Sequence, residues 1–197
     1  MLNGKFVPLL LLLLPLFLIA CGSDRREKIA EATPEKYRAV AEEFMNELSG
    51  VLVTELRKGG PISAIKVCAD TAQYLTREFS RKKGIVVKRV SFRNRNKLNA
   101  PDDFETAVLI EFEKMRDQGR LRARTEYFEV IQDDGISTAR YMKPIIVRPL
   151  CLNCHGKESE IDKSVLSIVN ENYKNDLARN YEVGELRGAV SIMRVLD

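Results

Sequence analysis

The chemistry available to this chain is concentrated in its single histidine and its four cysteines. Three of these fall together in Cys151-Leu152-Asn153-Cys154-His155. That is C-x-x-C-H, the pattern of c-type haem attachment. Two thiols three positions apart reach the two vinyl groups on one edge of a porphyrin. A histidine directly after them then lies under the ring and binds iron from one side. The covalent tether holds the group where a small domain cannot hold it by burial alone. Other chemistries fit less well. A structural zinc takes four Cys or His ligands, and His155 directly after Cys154 is awkward for one. A thioredoxin-like pair opens a helix inside a βαβ unit, whereas here Gly156 follows and no parallel unit surrounds it. A chance match, with Cys151 and Cys154 oxidised to each other, leaves the placement of the only histidine unexplained.

With His155 on one side of iron, bis-histidine ligation within the chain is excluded. The residues leave the other side open among Met45, Met115, Met142, Met193, Cys68, a lysine or no protein ligand. Methionine is the usual partner in electron-transfer cytochromes c. Cys68 is less common as a ligand, and its bland reading is a small buried hydrophobe.

The elements that must position these groups follow from hydrophobic spacing. Thr33-Pro34 opens a helix with Tyr37, Val40, Phe44, Leu48 and Leu52 on one face, and Gly59-Gly60 stops it. Pro61 starts a second helix, with Ile65, Cys68, Ala72, Leu75 and Phe79 on its buried face, and Gly84 ends it. Residues 85–92 read as a strand and 93–101 as a polar loop. Asp102 and Glu105 form a capping box for a third helix that Gly119 closes. Asp133-Asp134-Gly135 joins strands 127–131 and 136–147 as a hairpin, and Pro144 marks a strand break or an edge. Residues 160–180 read as helical and 188–195 as a last strand. Helices first, then strands joined by short turns, predict an α+β fold with an antiparallel sheet.

The 197 residues carry 32 Lys and Arg against 28 Asp and Glu, a net charge of +4. Charged residues make up 30% and hydrophobic ones 45%, which excludes disorder and a multi-span membrane protein. Charges of both signs are interleaved without a basic stripe, so nucleic acid is not an expected partner. Residues 1–20 read as an export signal: Lys5, then a short apolar run broken by Pro8 and Pro15. The run ends Leu18-Ile19-Ala20-Cys21-Gly22-Ser23, which resembles a bacterial lipobox. That resemblance implies cleavage before Cys21, lipidation of Cys21 and anchoring to a lipid bilayer on the periplasmic side, with the outer membrane favoured by Gly22. Residues 21–33 then form a polar lipidated tether, and residues 34–197 the functional domain.

Several segments in order carry a wider resemblance. They are Ala64-Ile65-Lys66-Val67-Cys68; Ser91 through Arg95-Asn96, Asn99-Ala100-Pro101 and Glu105; Tyr141 with Lys143-Pro144-Ile145; Cys151 through Gly156; and Gly184 with Arg187-Gly188-Ala189. On these the chain from Cys21 onward resembles, nearly end to end, a family of haem-c-binding PAS-like domains. Lys97 departs from the family pattern, which has proline there. The resemblance implies a PAS-like antiparallel sheet with long N-terminal helices packed around one covalent haem c. It also implies a thiolate second axial ligand, which carries over to Cys68. Arg95, and next Arg93, are the expected contacts of the haem propionates.

A thiolate ligand stabilises ferric over ferrous iron. The expected role is a low-potential electron carrier that docks with a redox partner protein. The alternative is a haem-based redox or gas sensor that signals through a partner. An enzyme such as a peroxidase is not expected, because the only histidine is already taken on the proximal side.

Overall fold

The computed structural model describes the backbone of residues 19–196 and the side chains of 25–69 and 71–196. Most of the expected signal segment, and the side chain of Cys21, lie outside the described residues. The stretch read as a tether is helical: α1 runs Ile19–Glu31, and Ile29 and Ala32 pack against the core behind it. No helix among the described residues is long and apolar enough to cross a membrane.

Helix α2 runs Pro34–Lys83 and contains the Gly59-Gly60 break. Gly60 has φ 67°, a conformation that costs glycine nothing, and the helix reverses there. The reversal is complete. In a straight helix Phe44 and Phe79 would stand roughly 50 Å apart, but their rings meet at 5.2 Å. An ion pair of 2.6 Å between Glu43 and Lys83 closes the same two arms. The two predicted helices therefore form a hairpin. Thr33 sits at the start of α2 without a side-chain capping bond, so Pro34 carries that end.

The strands are β1 (Val86–Val90), β2 (Tyr127–Asp133), β3 (Ile136–Ile146) and β4 (Leu186–Val195). They form one four-stranded antiparallel sheet in the order β1-β4-β3-β2. The β2–β3 hairpin forms at Asp134-Gly135, both with positive φ. Pro144 pairs with Ala189 beyond the last β2 partner, Met142, so it lies where β3 has one neighbour only.

Strand alternation sorts the side chains onto two faces. Val87, Tyr141, Val190 and Ile192 pack with Tyr37, Phe44 and Phe79 of the α2 hairpin. Val90, Met142 and Ala189 face the opposite way and pack with Val108, Leu109 and Phe112. Those three belong to α3 (Asp103–Asp117), which begins at the predicted capping box of Asp102 and Glu105. Residues 160–180 are not one helix. After the short α4 (Leu152–His155), α5 spans only Lys163–Asn172. Lys174-Asn175-Asp176 carries no apolar repeat, and the chain there leaves the helix to run along the C-x-x-C-H segment.

Candidate functional site

The C-x-x-C-H segment is built from a 3₁₀ turn, Pro149–Cys151, that runs straight into α4. Gly156 closes it. A Cβ there would lie 2.7 Å from the carbonyl oxygen of Leu152, so the tight exit requires glycine. Residues 178–181 then clip the motif from the side. Tyr181 N–H donates to the His155 carbonyl at 2.9 Å, and Asn180 N–H to that of Gly156 at 2.8 Å. In return His155 Nδ1 donates to the Ala178 carbonyl at 2.8 Å. That bond fixes the tautomer and leaves Nε2 with a free lone pair, as a ligating histidine requires. Burial, helped by the Arg187 and Arg95 cations, pushes the imidazole well below its ordinary value of 6.5 and keeps it neutral.

Arg95 holds this arrangement together. Its Nε donates to Asp176 at 3.1 Å and its Nη2 to the carbonyl of Cys154 at 2.6 Å. Both members of the pair are buried, at 9% and 1% exposure. Burial alone would raise Asp176, but bonds from Arg95, Arg179 and the Ala178 N–H hold it below the usual carboxylate range.

The site opens into a cavity of about 280 Å³ between the α2 hairpin and the α2 face of the sheet. Cys68, Cys151, Cys154 and His155 all line it, on elements more than 80 residues apart in the chain. Its walls are apolar, with Leu48 and Leu52 from the first arm of α2, Val67 from the second and Ile145 from β3. Burial pushes the thiols of Cys68 and Cys154 up, and Arg89 and Arg95 pull Cys68 back.

The cavity also narrows the choice of a second axial ligand. Met115 and Met142 pack on the α3 face. Met193 is paired with Arg140, whose guanidinium binds Asp102 at the start of α3. These three cannot reach the cavity. No lysine lines it among the described residues. Cys68 and Met45 remain.

Arg95 lines the cavity, and its Nε and Nη2 are engaged by Asp176 and by the Cys154 and Ala178 carbonyls. Arg93 is not in the lining. Its guanidinium stacks 3.8 Å over the Tyr181 ring and donates to the Arg179 carbonyl. Arg89, which the sequence gives no reason to single out, and Arg187 of the Arg187-Gly188-Ala189 segment also line the cavity. Arg89 shares its face of β1 with the buried Val87, two residues earlier, but the apolar residues on both faces of β1 give the sequence no signal for it.

The chain belongs to the Tll0287-like family, whose model matches residues 24–194. Among solved structures it is similar to the cyanobacterial haem protein Tll0287, with 22% identity and a TM-score of 0.62 over 82% of this chain and 96% of that one. That likeness establishes the shared fold, an α+β arrangement of helices on a four-stranded antiparallel sheet. No curated protein matches the chain.

Proposed function

We propose that this protein is an exported, membrane-anchored cytochrome with one covalent haem c, and that it transfers electrons at low potential with His155 and Cys68 as axial ligands. The observation that carries the reading is the convergence of Cys68, Cys151, Cys154 and His155 on one apolar cavity. The family match and the likeness to a haem protein support it. The donor set also fits. His155 has a fixed tautomer and a free Nε2, the paired thiols have the attachment spacing, and a third thiol stands across the cavity. Arg89 Nε is shut off from solvent without a hydrogen-bond partner, as expected of a cation that faces an anionic group.

Bound haem supplies a reversible one-electron iron centre. Cys151 and Cys154 would hold it by thioethers, and His155 Nε2 would ligate iron from the α4 side. Cys68 would ligate from the second arm of α2, where a metal ion favours the thiolate over the thiol. An anionic sulfur donor lowers the potential relative to methionine. Cys21, where lipidated, would hold the domain to the periplasmic side of a membrane, with the outer membrane favoured, and a redox protein would dock at the cavity mouth.

The test is an optical spectrum of the matured protein, ferric and then dithionite-reduced. A thioether-linked haem with a thiolate-type ferric spectrum is the expected result. A His/Met-type spectrum moves the ligand to Met45. Absence of covalent haem overturns the reading. A sensor reading has one feature in its favour: Cys68 rides on the arm beyond the Gly59-Gly60 reversal. Loss of a ligand on reduction, followed by CO binding, would favour it over the carrier.

A further inference from the structure

Three guanidinium groups converge on the cavity: Arg89 from β1, Arg187 from β4 and Arg95 from the loop after β1. Burial, and next the neighbouring Arg95 and Arg89 cations, depress Arg187, while the Tyr181 hydroxyl holds it up. Only Arg95 has a carboxylate partner, Asp176. Among the described residues neither Arg89 nor Arg187 has one. Arg187 donates from Nη1 to the carbonyl of Arg93 at 3.1 Å and lies 5.3 Å from the Tyr181 ring. Among the described residues the Arg89 side chain has no hydrogen bond, and its buried Nε is unpartnered. A fourth cation, Arg148, stands at the rim, exposed to water, and needs no counter-ion.

An uncompensated guanidinium in an apolar cavity costs several kcal/mol unless an anion arrives. We infer that Arg89, with Arg187 beside it, is the carboxylate-binding part of this site and takes the two propionates of the porphyrin, turning them inward against the sheet. The inference rests on the haem c reading above and adds residues and an orientation to it. Charge balance supports it. A ferric ion, the doubly negative porphyrin ring and one Cys68 thiolate neutralise one another. The two propionates then remain for the two unpaired arginines. Cys68 faces Arg89 as well and is the competing anion. A metal-bound thiolate, however, has already given its charge to iron. Geometry favours the same assignment, since Arg89 and Arg187 sit on adjacent strands and present two forks to two carboxylates.

The test uses the matured holoprotein and its apoprotein, as wild type and as Arg89→Leu and Arg89→Lys. In the wild type, resonance Raman bands of the propionate groups should show the shift of hydrogen-bonded carboxylates. Arg89→Leu should lose that shift while mass spectrometry still finds haem attached, and Arg89→Lys should keep most of it. Denaturant unfolding should separate the two forms. Arg89→Leu should raise the midpoint of the apoprotein, where the buried charge has no partner, and lower that of the holoprotein. Unchanged propionate bands together with altered iron–sulfur bands would assign Arg89 to Cys68 and overturn the inference. A lowered midpoint in both forms would make Arg89 merely structural and overturn it too. Wild-type protein without attached haem would instead sink the underlying reading, a separate and visible failure.

Discussion

The imidazole Nδ1 of His155 and the carbonyl oxygen of Ala178 lie 2.8 Å apart, 23 residues distant in the chain. The bond exists because the chain leaves α5 at Tyr173 and runs back along the C-x-x-C-H segment. A carbonyl acceptor on Nδ1 aims Nε2 into the cavity and makes the imidazole a better donor to a metal. The position of Ala178 depends in turn on Asp176, which accepts the Ala178 N–H at 2.9 Å, and on Arg95, which bridges Asp176 to Cys154. The ligand geometry is thus set by a loop whose shape is set by a buried ion pair.

Cys68→Ala is expected to keep covalent haem but to lose the thiolate-type ferric spectrum. The potential should rise, because an anionic donor to ferric iron is removed. Met45→Leu should leave the spectrum unchanged. Potentiometry with optical detection checks both variants. Should Met45→Leu alter the spectrum while Cys68→Ala does not, the ligand assignment is reversed.

The Arg95–Asp176 pair predicts a large and asymmetric loss. Arg95→Leu leaves the buried Asp176 carboxylate with Arg179 as its one remaining cation and the Ala178 N–H as a further donor, so about 3–5 kcal/mol, the cost of a buried charge left without any partner, is the upper bound of the loss. Replacing both residues by apolar ones should cost less than that single change. A double-mutant cycle by denaturant unfolding measures the difference. Single and double losses that simply add would show the two residues to be uncoupled.

Much of this was legible in the residues. The Gly59-Gly60 break, the Asp102–Glu105 box and the Asp134-Gly135 hairpin are local signals, and each formed as read. The long-range pairings were not legible. Nothing in the sequence says that the Gly-Gly break folds α2 back on itself, or that Cys68 and His155 come to line one cavity. Nor does it say which face of β1 turns inward, and that choice alone decides whether Arg89 or Lys88 enters the cavity. Lys88 went the other way and pairs with the buried Glu105 at 2.9 Å. The helix expected over residues 160–180 forms only over Lys163–Asn172, and Tyr173 onward leaves it. Asp176 is bonded there to Arg95 and Arg179 instead.

Acid stability follows from the same carboxylates. Hydrogen bonds hold Asp176 below its ordinary value of 3.8, and Glu126, bonded by Arg38 and Tyr141, below 4.5. A depressed carboxyl contributes stability in full above its unfolded value and loses it as pH falls through its folded value. Stability should therefore hold down to about pH 4.5 and decline below it. Asp176→Asn should flatten the lower part of that decline and cost stability at neutral pH. Unfolding curves taken between neutral and acid pH check it, and an unchanged acid slope in Asp176→Asn would show that the pair adds nothing.

A tight approach of β4 to β1 positions the arginines of the cavity. Gly188 on β4 has φ 146°, and a Cβ there would stand 2.1 Å from the carbonyl oxygen of Val90 on β1. Both the conformation and the space exclude a side chain. Gly188 also lines the cavity, one residue from Arg187 and close to Ser91. Gly188→Ala must therefore push β1 off β4 or twist β4 locally, and either movement displaces Arg89 relative to Arg187. Strain at such a position costs about 1–3 kcal/mol before the clash is counted. The expected outcome is a loss of more than about 2 kcal/mol, with altered haem spectra in whatever protein still folds. Gly184→Ala is the control. It too has a positive φ, 93°, but its Cβ would meet nothing within 4 Å. It should show the conformational cost without the spectral change. Equal effects from the two variants would mean that the β1–β4 contact does not position the arginines.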